Sequence, residues 1–119
     1  MVKKSATPAS EIPVLFNIIN SARHELFIVS TGASYSDLTE EIERLMSSSP
    51  NCKEFMSQYK AEGGGKVAEL KVVWGAQGRD PKIWPQTTIV TDDNCEAVLN
   101  MIERGGGVGR DVLQVKLAE

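Results

Sequence analysis

Two runs of three glycines divide this chain in the same way. The glycines at 63–65 follow a helical stretch and lead into a strand-like segment at 68–74. The glycines at 105–107 follow another helical stretch and lead into a second strand-like segment at 111–117. Glycine ends helices because, without a Cβ, it readily adopts the backbone conformation that a helix terminus needs. The duplication therefore predicts two βαβ units.

The N-terminal region is predicted to carry one more helix. Residues 1–9 are mainly polar and are expected to form a flexible N-terminus. Beyond Ser10, which can cap a helix, apolar residues recur from Leu15 to Ala22 at the i, i+3, i+4 and i+7 spacing of one helical face. Pro13 fits this prediction, because the first turn of a helix has no partner for the N–H that proline lacks.

In the rest of the chain, the hydrophobic pattern predicts four strands and three helical segments. The strands are predicted at about 26–29, 68–74, 87–91 and 111–117. The helices are expected to begin at Asp37, Asn51 and Asp92, with apolar faces made by Leu38, Ile42, Leu45 and Met46, by Phe55 and Tyr59, and by Cys95, Val98, Leu99 and Ile102. We therefore predict one α+β domain at 10–119. Its arrangement is a ferredoxin-like double βαβ, a four-stranded sheet with helices on one face, plus the extra N-terminal helix. A proline turn at 84–86 leaves a thioredoxin-like fold as the alternative.

Composition and charge narrow the functional classes. The net charge is -3 and the isoelectric point about 5.2, which argues against a nucleic-acid partner, because a broad phosphate-binding surface needs clustered Lys and Arg. Cys52 and Cys95 lack CxxC spacing and His24 is the only histidine, so no metal site is expected.

No apolar run is long enough to span a bilayer, and two thiols without a signal peptide favour the cytoplasm. No nucleophile and base stand in a recognisable arrangement, which predicts a non-enzymatic protein.

The 75–86 segment is the first candidate binding loop. Its glycines allow backbone N–H groups to approach an anion, and Arg79 can grip a phosphate or carboxylate with two hydrogen bonds. Trp84, with Lys82 nearby, is a candidate partner-binding residue, because exposed aromatic side chains often anchor interfaces. The alternative interpretation is an ordinary surface connection whose tryptophans pack on the core.

The 105–111 segment is the second candidate loop. It follows a helix and precedes a strand, whereas phosphate loops run from a strand into a helix, so it is not a Walker loop. A helix C-cap followed by a turn is the alternative. If the two loops meet, their two arginines would face one anion. The candidate ligand-binding residues are therefore Gly75, Gly78, Arg79, Gly106, Gly107, Gly109 and Arg110.

Several of these features occur together in one known family. The segment 89–102 combines a strand, an acidic turn and an amphipathic helix. Gly106, Val108 and Gly109 precede the last strand, and the 75–79 segment follows the second. In this the chain resembles the PII-like signalling proteins. The resemblance implies a sensor, a homotrimer that holds a small anionic ligand between subunits and signals to a partner protein, with a nucleotide as one candidate ligand.

Two other functions stay open. One is a ligand-free interaction module that docks on a partner protein through the 75–86 loop. The other is binding of single-stranded RNA, because RNA-recognition modules share the predicted topology. That function needs aromatic side chains on central strands and a basic sheet. Phe27 and Trp74 are the only strand aromatics available for it, and the chain is acidic.

Overall fold

The computed structural model describes residues 9–57, 65–104 and 110–118, which form five strands and three helices. In chain order these elements are β1 (Glu11–Ile18), β2 (His24–Ser30), α1 (Tyr35–Ser48), α2 (Lys53–Met56), β3 (Val67–Val73), β4 (Thr87–Ile89), α3 (Cys95–Arg104) and β5 (Val112–Leu117). The α+β class is confirmed. The four-stranded ferredoxin-like sheet is not, because the sheet has five strands in the order β2-β1-β5-β3-β4.

The N-terminal segment causes this difference, because the predicted helix is a strand. In β1 every second side chain is buried, so the two-residue alternation of a strand overrides the helical spacing that begins at Leu15. The strand is stable because its whole alternating set enters the core. Pro13 pairs only with β2, since the ladder to β5 starts at Leu15. Its missing N–H therefore falls where one side of β1 has no partner strand.

The sheet keeps the two predicted helical crossovers but spaces them differently. β1 pairs antiparallel with β2 and parallel with β5, and β3 pairs antiparallel with both β5 and β4. It follows that β2 and β3 run in the same direction, as do β4 and β5. The crossover through α1 passes over β1 and β5, and the crossover through α3 passes over β3. The insertion of β1 between β2 and β5 is what widens the first crossover.

The helices present the apolar faces that the sequence predicts. The buried residues are Leu38, Ile42 and Met46 in α1, and Cys95, Val98, Leu99 and Ile102 in α3. The first helix begins earlier than expected. Ser34 caps it by accepting a hydrogen bond from Asp37 N–H at 3.0 Å, and the Asp37 carboxylate accepts one from Ser34 N–H. No helix in the described part of the chain is long and apolar enough to cross a membrane.

The helices pack on one face of the sheet. Their buried side chains join alternate side chains of β1, β2, β3 and β5 in a single hydrophobic cluster. The strand residues of opposite parity form the other face, which we call the open face. There Leu26 and Ile28 are 61% and 65% exposed. One side of the sheet is therefore a core and the other side is a surface.

Several predicted features lie outside the described residues. They are the flexible start at 1–8, Tyr59 of the predicted apolar pair, the glycines at 63 and 64, and the glycine turn at 105–109. Gly65 is described and has a φ of 83°. Glycine adopts this positive φ without steric cost, as expected where the chain turns into β3.

Candidate binding site around the 75–86 loop

The site is built on the loop that joins β3 to β4. At its base, Trp74 N–H donates to the carbonyl of Gln86 over 3.0 Å and closes the hairpin. Further along, Arg79 N–H donates to the carbonyl of Ala76 over 3.1 Å, and Gly78 lies inside this turn with a φ of 78°. A side chain at that φ would be strained, so the turn favours glycine.

Asp80 shapes the second half of the loop. Its Oδ1 accepts a hydrogen bond from Lys82 N–H at 2.9 Å, and its carbonyl accepts from the N–H groups of Ile83 and Trp84, both at 2.9 Å. An aspartate that bonds the backbone two residues ahead forms an Asx turn, which is one reason for its abundance in turns. The turn holds Trp84 half-buried and leaves Ile83 77% exposed.

Arg79 and Asp111 anchor the loop to the start of β5. Arg79 Nη1 donates to Asp111 Oδ1 at 2.7 Å, and Nη2 donates to Oδ2 at 3.2 Å. Only 6% and 1% of the two side chains are exposed. The hydrogen bonds that Arg79 donates to Asp111 raise the pKa of Arg79, which favours its charged form. A buried pair of this geometry fixes both partners, because each charge compensates the other.

Gly75 is the point where the loop touches the start of β5. Its N–H donates to Asp111 Oδ1 at 2.7 Å, and its carbonyl accepts from Arg79 Nη1 at 2.9 Å. A Cβ on Gly75 would lie 2.8 Å from the carbonyl oxygen of Arg110, too close for any side chain. The absence of a Cβ thus lets the two segments approach closely enough for Asp111 to reach Arg79.

Two tryptophans contact the Arg79 guanidinium. Its Cζ atom lies 5.4 Å from the ring centroid of Trp74 and 4.6 Å from that of Trp84. The two indoles meet edge to face, with centroids 5.6 Å apart. Trp74 Nε1 also donates to Thr88 Oγ1 at 2.8 Å, which ties the first ring to β4. Cation–π contacts of this kind contribute about 0.5–2 kcal/mol each, so Arg79 orders both aromatic rings.

A cleft of about 300 Å³ opens beside this aromatic pair. Its apolar walls come from Trp74, Ala76, Pro81, Trp84 and Pro85. The volume lies at the small end of ligand pockets and is enough for one or two side chains. Because the charge of Arg79 is balanced by Asp111, the cleft offers aromatic and proline surface rather than an uncompensated positive charge.

The structure brings part of the predicted ligand-binding set together. Gly75 and Arg79 meet the start of β5, where Arg110 Nη2 donates to the carbonyl of Gln77. Gly78 is apart from this contact, with open space around the position of a Cβ. The predicted glycines at 106, 107 and 109 lie outside the described residues. The Arg79 guanidinium bonds an internal carboxylate, that of Asp111.

The predicted partner-binding residues are both accessible. Lys82 is exposed and Trp84 is half-buried, with one side of its ring against Arg79 and the cleft beside it. Sequence reasoning missed Asp111, Thr88 and Ile83 as members of this site. The sequence does contain a sign of the role of Asp111. An acidic residue at the start of an apolar strand is often buried, and a buried carboxylate is usually paired with a cation.

Glu25 fastens a second segment, the turn between α1 and α2. Its carboxylate accepts hydrogen bonds from Ser49 Oγ, from Asn51 Nδ2 at 3.1 Å and from Leu26 N–H at 2.9 Å. These bonds, that from Ser49 foremost, lower the pKa of Glu25. Cys52, in the same turn, is fully buried and donates to the carbonyl of His24. This cluster holds the turn against β2.

The remaining chemically suggestive residues are placed for packing. Burial raises the pKa of the Cys95 thiol to about 11, and burial also raises the pKa of Cys52. Reactive cysteines have lowered pKa values, so both thiols behave as small core residues. Across the described ranges, no group of three or more His, Cys, Asp or Glu side chains is arranged to hold a metal ion.

Comparisons with known proteins do not add to this description. No protein-family model matches the chain, and neither the curated proteins nor the solved structures contain a significant match. The resemblance to PII-like proteins therefore stays a prediction, and the function has to be inferred from the site.

Proposed function

We propose that this protein is a non-enzymatic binding module that docks on a partner protein through the 75–86 loop. The observation that carries the proposal is the buried Arg79–Asp111 pair, which orders both tryptophans while its own charge is balanced. A loop that is ordered before binding loses little conformational entropy in the complex. Tryptophans held in this way are typical anchors of protein interfaces.

The cleft indicates the chemistry of the partner. Its walls are aromatic rings and prolines, and Ile83, which precedes Trp84 in the loop, has most of its side chain exposed. Asp80 and Lys82 are exposed on the same loop and give it a polar rim of both signs. An apolar core with a polar rim is the usual anatomy of an interface. The partner is therefore a protein segment that inserts an aromatic or aliphatic side chain.

Selection from a displayed peptide library with the purified protein tests this function. The wild-type protein should enrich segments with an apolar anchor, and Trp84→Ala or Ile83→Ser should weaken their binding by about tenfold or more. Ile89→Ser is the matched control, because it removes an isoleucine that is 50% exposed on β4, outside the loop. Failure to enrich any sequence, or equal weakening in the control, would refute docking through this loop.

A small-anion sensor of the PII-like kind is the second proposal. The contact between the two predicted loops favours it, since Asp111 bonds Gly75 and Arg79 while Arg110 bonds Gln77. In this function the protein is a cytoplasmic homotrimer, and a nucleotide or similar anion binds near Arg110. A hundredfold excess of such a ligand over its Kd should raise the Tm by about 10 °C. No shift with any nucleotide, together with a mass below three chains, would refute the sensor and leave partner docking intact.

A further inference from the structure

The open face of the sheet carries apolar side chains across four neighbouring strands. We call this set the apolar row, and strand register aligns it in the order Leu26, Leu15, Val112 and Val73. Pro13 and Ile28, paired with each other, lie beside it. Leu26 and Ile28 are 61% and 65% exposed. A continuous apolar patch of this kind on a protein surface marks a contact site.

The centre of the sheet contributes two residues of the apolar row. β1 and β5 form a parallel pair within a sheet that is otherwise antiparallel. The helices cover one face, and within the described ranges none packs on the other. Leu15 and Val112 belong to this central pair and face the uncovered side. In the part of the chain that the structure describes, their outer side is therefore available for contact with another surface.

Two oppositely charged side chains flank the apolar row, and on β3 the Lys71–Glu69 ion pair lies on the same face. Leu15 and Val112 are direct neighbours in the parallel ladder. Glu11 stands four residues before Leu15 on β1, and Lys116 stands four residues after Val112 on β5, both exposed on the open face. At about 3.3 Å per residue, the two charges lie about 13 Å from the apolar row in opposite directions. A two-fold axis along the row brings the Glu11 end of one copy over the Lys116 end of the other.

We propose that two copies of this chain pack their open faces together about that two-fold axis. Each apolar row then meets its own counterpart, and the Glu11–Lys116 contact forms twice, as an isologous interface requires. Four strands about 4.8 Å apart and about 23 Å long give a footprint of roughly 450 Å² per copy. The total of roughly 900 Å² is below the standard size of specific interfaces and typical of weak, transient contacts, so we expect dissociation in the micromolar range or weaker.

Sedimentation velocity across about 1 to 500 µM tests the self-association. The mass should rise with concentration from one chain of 13.0 kDa toward two chains. A strict monomer throughout this range, or a complex of three chains, would overturn the proposal. The loop experiments above are unaffected by either result, because the 75–86 loop is not part of the open face.

A charge exchange tests the proposed geometry. Glu11→Lys and Lys116→Glu should each raise the dissociation constant by about tenfold, because each places two like-charged pairs in the interface. The double variant should return to within about threefold of wild type, because the pairs are re-formed with reversed sign. Additive weakening in the double variant would show that the two residues do not meet and would overturn the two-fold arrangement.

An apolar substitution with a matched control completes the test. Leu26→Lys should weaken dimerisation by about a hundredfold, because a charge would face the apolar row of the other copy. The side chain is largely exposed in the single chain, so the fold should persist, and circular dichroism can verify it. Ile83→Lys changes a still more exposed apolar residue on the loop and should not alter dimerisation. Equal weakening by both variants would indicate unspecific association and overturn the proposal.

Discussion

Two carboxylates fasten surface segments to this sheet, and they differ in what surrounds them. Asp111 is 1% exposed and faces the cation of Arg79, whereas Glu25 is half-buried and accepts hydrogen bonds from neutral donors. When a buried charge loses its partner it stays without water, but the donors around an accessible carboxylate can turn to solvent. The comparison teaches that burial, rather than the number of hydrogen bonds, determines how much such a carboxylate contributes to the free energy of unfolding.

The largest expected effect is that of Asp111→Ala. It leaves the Arg79 guanidinium buried without its counter-ion, which should lower the free energy of unfolding by about 3–5 kcal/mol. Urea denaturation measures this change, and tryptophan fluorescence should report the loosened indoles. Asp93→Ala, at an exposed position, is the control and should cost less than about 0.5 kcal/mol. If Asp111→Ala lowered the free energy of unfolding by less than about 1 kcal/mol, burial would not explain the difference between the two carboxylates.

Gly75→Ala should have the next largest effect. The added methyl group would lie 2.8 Å from a backbone oxygen, so the loop must move away from β5. We expect a loss of about 1–3 kcal/mol, the range for overpacked sites. Gly78→Ala provides a contrast, because its strain comes from a positive φ without any clash. An unchanged urea midpoint for Gly75→Ala would show that the loop and β5 do not approach as closely as described.

Glu25→Gln should cost less than either change. The isosteric amide keeps the shape of the side chain but loses the charge that strengthens the bonds from Ser49 and Asn51. Because the site is accessible to water, we expect a loss of about 0.5–1 kcal/mol. Thermal unfolding at neutral pH measures it, with Glu96→Gln on the exposed side of α3 as control. A loss as large as that of Asp111→Ala would contradict the role assigned to burial.

The smallest expected effect is the pH dependence of the stability that the Glu25 carboxylate contributes. The pKa of Glu25 is lowered from its ordinary value of 4.5, so the unfolded chain takes up the proton first as the pH falls. The stability that this carboxylate contributes is complete above pH 4.5 and is lost as the pH falls through the lower folded-state pKa. The Tm difference between wild type and Glu25→Gln should therefore shrink below pH 4.5. A difference that stays constant into stronger acid would disprove this linkage.

Much of the fold was predictable because its local signals are strong. The apolar faces of α1 and α3 were predicted from helical spacing, and the order of strands and helices after Ser30 follows the prediction. The N-terminal strand was not predicted. The helical spacing from Leu15 to Ala22 overlaps the second half of the strand, and the two apolar patterns share only Ile18. Only tertiary pairing with β2 and β5 decides between them, and strand order depends on that same long-range choice.

The loops that form the site were predictable from the sequence, but the pairing of its charged side chains was not. Glycine and arginine pointed to the 75–86 segment, and the structure does bring it against Arg110 and Asp111. The sequence could not show that Arg79 would bond an internal carboxylate, because Asp111 is distant along the chain and reaches the loop only through the pairing of β3 with β5. The glycines at 106, 107 and 109 stay a prediction, since they lie outside the described residues.

The central position of β5 has a consequence for how the chain folds. β5 lies between β1 and β3, so the first and last strands in sequence are neighbours in the middle of the sheet. Until Val112 and the residues after it have emerged from the ribosome, β1 and β3 lack the strand that joins them. Such long-range pairing slows folding and leaves strand edges open in the nascent chain. The sheet thus closes only after β5 is available, and the edges of β1 and β3 stay open to unwanted pairing until then.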